Sequence, residues 1–296
     1  MSDNIATKPI NRVSFKQRMM QYKRKPLSFL LFITVGAAAV ISVATLIFLI
    51  VYILIKGIPN ITPDLFAWKY NSDNVSCMPA IINTIVITLL TLVVAVPLGI
   101  GAAIYLAEYA KKGNRLVKLI RTMAETLSGI PSIVYGLFGM MFFVTALHWN
   151  LSILAGAFTL AIMVLPTIMR TTEEALLTVP DSYREGSYGL GAGKLRTIVR
   201  VILPSAMPGI LAGIILSVGR IVGETAALIY TSGSATGTIG SVMDSGRTLA
   251  IHMYVLTNEG LYTDQAWATA VVLIVLVLGV NTLSEFIAKK LGTRKG

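Results

Sequence analysis

Six apolar stretches of 19 residues or more, none containing a charged side chain, are the dominant pattern in this sequence. They cover residues 27–55, 80–107, 126–149, 151–169, 201–219 and 266–284. A helix needs about 20 apolar residues to cross roughly 30 Å of hydrocarbon, and backbone in lipid must satisfy its own hydrogen bonds. The pattern therefore predicts an all-α polytopic membrane protein with six transmembrane helices. The fifth stretch runs on through Arg220 and Glu224 as far as residue 230.

The positive charges indicate the topology of these helices. Of the 25 lysines and arginines, 21 lie in the N-terminal tail, the second–third loop, the fourth–fifth loop and the C-terminal tail. By the positive-inside rule these segments are cytoplasmic, so both termini are predicted on that side. The net charge of +11 then reflects topology and attraction to membrane lipid, and we expect no nucleic-acid partner. Residues 1–26 are predicted to be a basic cytoplasmic tail, and residues 27–296 the transmembrane domain.

The composition gives little support for catalysis. Only 13% of residues are charged, about half the usual share, and 55% are hydrophobic. A single cysteine and two histidines exclude an intrachain disulfide and a Cys/His metal cluster. Since no nucleophile–base pair occurs within the spans, we predict that the chain is not an enzyme.

The fourth–fifth loop, about residues 170–203, has a helical pattern of its own. Pro180 precedes a predicted short helix, in which Ser182 is expected to cap the N-terminus and Glu185 to complete a capping box. Glycines at 189, 191 and 193 interrupt this helix, and a second one resumes at Lys194. These residues alone leave two interpretations open, an interfacial helix and a docking element.

The spacing of this loop resembles that of the permease subunits of ABC importers, which carry the pattern E-A-A-x3-G-x9-I-x-L-P. Here the sequence reads Glu-Gly-Ser at 185–187, then Gly191, and finally Val-Ile-Leu-Pro at 201–204. The spacing is complete, with departures at Gly186, Ser187 and Val201. The resemblance implies that the short helix docks on a cytoplasmic ATPase, and it assigns ATPase coupling to Tyr183, Arg184, Glu185, Gly186, Ser187, Gly191, Leu203 and Pro204.

Three further segments, residues 128–139, 170–180 and 219–228, resemble the PstA-type permeases of the bacterial phosphate importer. The resemblance covers about residues 80–284 and implies a type I ABC importer permease fold in the inner membrane. It also implies a second, PstC-type permease, a PstB-type ATPase dimer and an external PstS-type phosphate-binding protein as partners. ATP and Mg²⁺ would be bound by the ATPase and no cofactor by this chain. The sequence "GLGAGKL" at 189–195 lacks the P-loop spacing.

Arg220 and Glu224 lie four residues apart, on one face of the predicted fifth helix and within ion-pairing reach. A structural interpretation is an internal salt bridge between two buried charges. In the functional interpretation, Arg220 binds phosphate, because a guanidinium matches a phosphate bidentately. Glu224 would then either shield Arg220 in the empty state or accept a hydrogen bond from a protonated phosphate oxygen.

Four more residues are candidates for the substrate pathway. Residues 129–131, Gly-Ile-Pro, predict an irregular turn whose freed backbone groups line a cavity, together with Ser128, Ser132 and Tyr135. Hydroxyls also often bond to their own helix. Arg170 is either a positive-inside anchor or a guide for the departing anion. Two alternative functions are an ABC importer permease for another oxyanion or solute and a self-contained channel or secondary transporter.

Overall fold

The computed structural model describes residues 26–111 and 113–292, with side chains from 27 to 111 and from 113 to 286. The predicted basic tail lies outside these residues, except for its last one. All regular structure in the described part is helical. In chain order the helices are α1 (Pro26–Gly57), α2 (Met78–Ile104), α3 (Arg115–Ser128), α4 (Ser132–Gly139), α5 (Ile153–Thr178), α6 (Asp181–Gly189), α7 (Lys194–Thr197), α8 (Leu203–Val222), α9 (Ala226–Ile229), α10 (Leu249–Glu259) and α11 (Thr263–Gly292).

Several helices continue through short segments of a different pitch. Wider π-helical turns prolong α2 over Tyr105–Tyr109 and α4 over Met140–Ala146, and a third, Ile198–Ile202, joins α7 to α8. Two short 3₁₀ turns, Ile58–Asn60 and Pro63–Phe66, follow α1.

Five continuous helical segments of the described chain are long and apolar enough to cross a membrane: Leu27–Asn60, Met78–Tyr109, Ile153–Thr178, Lys194–Val222 and Thr263–Phe286. A sixth span results if α3 and the extended α4 are taken together, although the two are bent by 102°. The predicted number of spans is therefore reached only with this broken pair.

The predicted third helix, residues 126–149, is wrong at its N-terminal end. Residues 126–128 belong to the last turn of α3, and α4 begins only at Ser132. Pro131 has no N–H to continue a helical ladder, and it disfavours the helical conformation at Ile130. An uncharged run of sequence therefore contains a sharp break, because proline chemistry overrides hydrophobicity.

The described residues up to Ile55 form one compact unit. Within it, the side chains of α1 are apolar and mostly exposed around the whole helix, as Leu30, Val40 and Phe48 illustrate. A helix that is hydrophobic all round requires an apolar environment such as lipid.

Helix α5 is the centre of the second unit, residues 56–296. It packs on α2 along one side and on α8 along another, and α11 packs on α8. Leu160, Met163 and Ile168 of α5 are fully buried. Because α5 is enclosed by its neighbours, the other helices are held in place around it, and two of the broken helices, α4 and α9, also contact it.

Candidate functional site

The two charges in the fifth span lie at a break in the helix. Helix α8 ends at Val222 and α9 begins at Ala226, so Glu224 lies in the connection. Its Oε1 accepts a hydrogen bond from the backbone N–H of Ala227 at 3.1 Å. Arg220 lies in the last turn of α8 and is partly buried, and no ion pair joins it to Glu224 in the described chain.

This arrangement corrects the predicted continuous helix and its ion pair. Thr225 has non-helical dihedral angles, φ −125° and ψ −54°, and therefore interrupts the helical ladder. The carboxylate of Glu224 satisfies one N–H at the start of α9, as acidic side chains commonly do at helix N-termini. The four-residue spacing does not bring the two charges together, because the helix on which it depends ends between them.

The predicted irregular turn before α4 is confirmed. Tyr135 is buried, and its hydroxyl donates to the carbonyl oxygen of Leu127 at 2.7 Å, across the break. Ser128 is exposed and its hydroxyl donates to the Glu125 carbonyl of its own helix at 2.7 Å. Ser132 is the first residue of α4 and is partly exposed. The break is thus braced by Tyr135, whereas Ser128 bonds to its own helix.

The two helix breaks lie side by side. A Cβ atom on Gly136 would lie only 2.8 Å from Cα of Ala227, and one on Gly139 only 2.7 Å from Cγ2 of Thr231. These contacts advance together along both chains, so α4 and α9 run parallel. The two short helices that follow the breaks therefore pack directly against each other.

Arg220 belongs to the same region. Its charge contributes to the electrostatic environment of the Tyr135 hydroxyl, which is bonded to the carbonyl oxygen of Leu127. In a bilayer a charged side chain usually faces a cavity or a partner. The turn of α8 before Arg220 contributes to a groove.

The groove runs between α5 and α8 and has a volume of about 510 Å³. Small side chains form much of its α8 wall, among them Ser205, Gly209 and Ala212. These residues recur every three or four positions as far as Leu216, one helical turn before Arg220. Neither Gly219 nor Arg220 is among the described residues that line the groove.

Arg170 lies in a network of charges at the end of α5. Its Nε donates to Glu174 at 3.0 Å, and its Nη1 lies 3.7 Å from Glu125 of α3. Nearby, the guanidinium of Arg121 in α3 donates to the buried carboxylate of Glu173 at 2.8 Å from Nε. These pairs hold α3 to α5 around a cavity of about 180 Å³. The position agrees with an anchoring role for Arg170.

Arg184 anchors the loop helix α6 to the membrane domain. Its guanidinium donates to Oε1 of Glu108 at 2.7 and 3.1 Å, and to the carbonyl oxygens of Leu176 at 3.0 Å and Val179 at 2.8 Å. The hydrogen bond to Glu108 raises the pKa of Arg184 above its usual value. Glu108 was not predicted as a site residue; the sequence signal is that it is the first charge after the second apolar stretch.

The predicted capping box of α6 is absent, because α6 starts at Asp181 and makes no side-chain cap. The remaining coupling residues fall into two groups. Tyr183, Glu185 and Gly186 are exposed along α6. The others shape the loop: the Ser187 hydroxyl lies 2.8 Å from that of Thr197, Gly191 takes a left-handed φ of +81°, and Leu203 and Pro204 start α8. Beside α6 lies a groove of about 610 Å³.

Known proteins share this sequence and this fold. Residues 95–295 match the family of binding-protein-dependent transport system inner membrane components. The chain is 33% identical over 270 residues to the probable ABC transporter permease protein YqgI of Bacillus subtilis, covering 85% of this chain and 92% of that protein. It is 34% identical over 267 residues to the phosphate transport system permease protein PstA of Yersinia pestis, covering 86% and 89%.

Solved structures of ABC importers have the same fold. A chain of the bacterial alginate ABC transporter aligns with a TM-score of 0.67 at 16% identity, covering 92% of this chain and 98% of that one. A chain of the methionine transporter MetNI aligns with a TM-score of 0.56 at 20% identity, covering 73% and 94%. The predicted type I importer permease fold is thus confirmed, and this chain belongs to the family of binding-protein-dependent transport system inner membrane components as a multi-pass permease subunit.

Proposed function

We propose that the chain is one of two transmembrane subunits of an ATP-driven importer of inorganic phosphate. The observation that carries this proposal is the place of Arg220, partly buried in the last turn of α8 before a helix break and one turn beyond a groove lined by small residues. A guanidinium stays charged when desolvated and matches phosphate oxygens bidentately. Relatives that carry the name of a phosphate transport permease support the choice of cargo.

Glu224 fits this proposal in a different way from the ion pair predicted from sequence. Its Oε1 accepts from the N–H of Ala227, and no ion pair joins its carboxylate to Arg220 in the described chain. An arginine without a carboxylate partner is available to an anion, and the cost of burying its charge falls when the anion binds. A single guanidinium also suits transport, because a tighter cage would retain the ion.

The proposed importer needs three further kinds of subunit. We assign ATP and Mg²⁺ to a separate PstB-type ATPase dimer, the other half of the pathway to a PstC-type permease, and phosphate delivery to an external PstS-type binding protein. The charge distribution supports cytoplasmic termini, which places α6 on the ATPase side. Exposed Tyr183 and Glu185 would contact the ATPase there.

Arg184 provides the mechanical link in this scheme. It joins α6 at once to the end of α5, through two carbonyl oxygens, and to the turn after α2, through Glu108. A displacement of α6 by the ATPase would therefore move both helices together. Because α5 forms one wall of the groove, its movement would change the route below Arg220.

Purification of the complex with its neighbouring subunits tests the proposal. We expect an ATPase to co-purify, and its hydrolysis in proteoliposomes to be stimulated by a phosphate-loaded binding protein and to drive phosphate uptake. Stimulation by a binding protein loaded with another oxyanion or an organic solute, with none for phosphate, would assign a different cargo. Phosphate flux without any ATPase would overturn the importer assignment altogether.

A further inference from the structure

We propose that Asn281 of α11 is a second, uncharged ligand for the anion, opposite Arg220. This inference rests on the proposed function, since it concerns the same pathway. The notable feature is a carboxamide within a membrane-spanning helix whose Oδ1 is buried and has no hydrogen-bond partner in the described part of the chain. An unpaired polar group away from water costs free energy, and in lipid few partners are available to offset it.

Asn281 lies against the turn of α8 that holds the guanidinium. A Cβ atom on Gly219 would lie 3.8 Å from both Nδ2 and Oδ1 of Asn281. Gly219 is next to Arg220 in sequence and follows Leu216, the last α8 residue that lines the groove, by three positions. The bare backbone at Gly219 thus has a carboxamide beside it and an arginine at the neighbouring position.

The chemistry of the two groups is complementary for a protonated oxyanion. The guanidinium only donates hydrogen bonds, whereas a carboxamide donates through Nδ2 and accepts through Oδ1. Hydrogen phosphate presents both bare oxygens and at least one O–H group at neutral pH. Asn281 can thus accept from the P–O–H group and donate to a bare oxygen, while Arg220 binds the remaining charge.

This assignment also answers the question of which residue accepts the proton of phosphate. Glu224 was one candidate, but its Oε1 already accepts from the N–H of Ala227, and the negative charge shared by its two oxygens repels an anion. The Oδ1 of Asn281 has no partner and carries no charge. An uncharged acceptor avoids repulsion and keeps the affinity low enough for release.

The test compares Asn281→Leu with Thr282→Val in the complete complex in proteoliposomes supplied with phosphate-loaded binding protein. Leucine is close to asparagine in size but makes no hydrogen bond. Thr282 is the next residue on α11, is exposed, and bonds only to the Leu278 carbonyl of its own helix in the described contacts. We expect Asn281→Leu to reduce phosphate uptake by about tenfold, as for loss of a hydrogen bond to a charged ligand. Thr282→Val should retain uptake.

A double-variant experiment separates a ligand from a packing residue. In an Arg220→Lys background, Asn281→Leu should cost much less than tenfold, because two groups that bind one anion are coupled. A full tenfold loss in both backgrounds, or a loss explained by a smaller amount of complex in the membrane, would overturn the inference. Uptake by Asn281→Leu equal to that of Thr282→Val would overturn it as well. If Arg220→Lys also retains full uptake, the proposed role of Arg220 in binding phosphate fails together with the role of Asn281.

Discussion

Arg184 and Glu108 form a buried ion pair between segments 76 residues apart, with Nη2 of the arginine 2.7 Å from Oε1 of the glutamate. Their side chains are 15% and 5% exposed. A second carboxylate, Asp181, also reaches the guanidinium at 3.1 Å, but it is 84% exposed. The pair with Glu108 is therefore the one shielded from water, and it connects the loop helix α6 to the turn after α2.

Glu108→Gln should weaken this connection far more than Asp181→Asn. Removing the charge of one partner leaves Arg184 buried without full compensation, which in buried pairs costs up to about 3–5 kcal/mol. An exposed pair contributes only about 0–1 kcal/mol. We expect Glu108→Gln to lower the melting temperature of the purified complex and the phosphate transported per ATP, with Asp181→Asn close to the parent. Equal effects of the two substitutions would contradict the buried-pair account.

Arg220→Lys should reduce phosphate uptake by about tenfold and Arg220→Ala by more, because lysine keeps the charge but loses the planar fork. Uptake of radioactive phosphate into proteoliposomes measures this. Arg115→Ala removes an exposed arginine from the start of α3 and is the matched control. Near-normal uptake by both Arg220 variants would indicate that this residue has a structural role and does not bind phosphate.

Substitutions of Glu224 separate its cap from its charge. Glutamine keeps a side-chain oxygen for the N–H of Ala227, whereas alanine removes the acceptor. We expect Glu224→Ala to destabilise the complex by about 1 kcal/mol, as for loss of a helix cap, and Glu224→Gln to have less effect. Thermal unfolding in detergent measures the difference. An equal loss for glutamine and alanine would show that the charge, and not the cap, is the stabilising feature.

Gly136→Ala should be strongly destabilising, whereas Gly101→Ala should not. A Cβ atom at residue 136 would overlap the backbone of Ala227. Backbone atoms cannot rotate away as the end of a flexible side chain can. Gly101 has no atom within 4 Å of the added carbon, and alanine is favoured over glycine in a helix by about 1 kcal/mol. The amount of folded complex recovered from membranes and its melting temperature give the comparison. Tolerance of Gly136→Ala would mean that α4 and α9 are not in backbone contact.

Because His252 is buried, we expect the folded protein to lose stability in acid. Burial, followed by the nearby charge of Arg247, lowers the pKa of this histidine from 6.5 to about 3. The unfolded chain therefore binds a proton between these values that the folded chain does not, so stability falls as the pH drops from 6.5 towards 3. The slope from this one group is at most about 1.4 kcal/mol per pH unit. Unfolding of His252→Phe between pH 7 and pH 5 should depend less on pH than that of the parent; an unchanged dependence would contradict the assignment.

The sequence predicted the spans well because hydrocarbon thickness sets their length. It also predicted the break at residues 129–131, because a proline restricts the backbone at its own position and at the residue before it. The break at Glu224 was missed because helical spacing presumes a continuous helix, and the non-helical dihedral angles of Thr225 are not visible in the hydrophobic pattern.

The partners of individual charges were harder to predict. Arg184 was expected to face the ATPase, and its inward bonds to Glu108 and to two carbonyl oxygens depend on how α2, α5 and α6 pack. Asn281 was overlooked because a lone polar residue in an apolar stretch has no motif. Its contact with Gly219 of α8 depends on how the two helices pack, and only the structure shows that contact.

The contact between Gly136 and Ala227 has a consequence for how the permease works. Two helices that touch backbone to backbone have no room to slide or to change their angle, so α4 and α9 travel as one rigid piece. The halves of the broken spans are then not hinges. The groove between α5 and α8 lies outside this rigid piece, so a change in its width does not require α4 and α9 to move relative to each other.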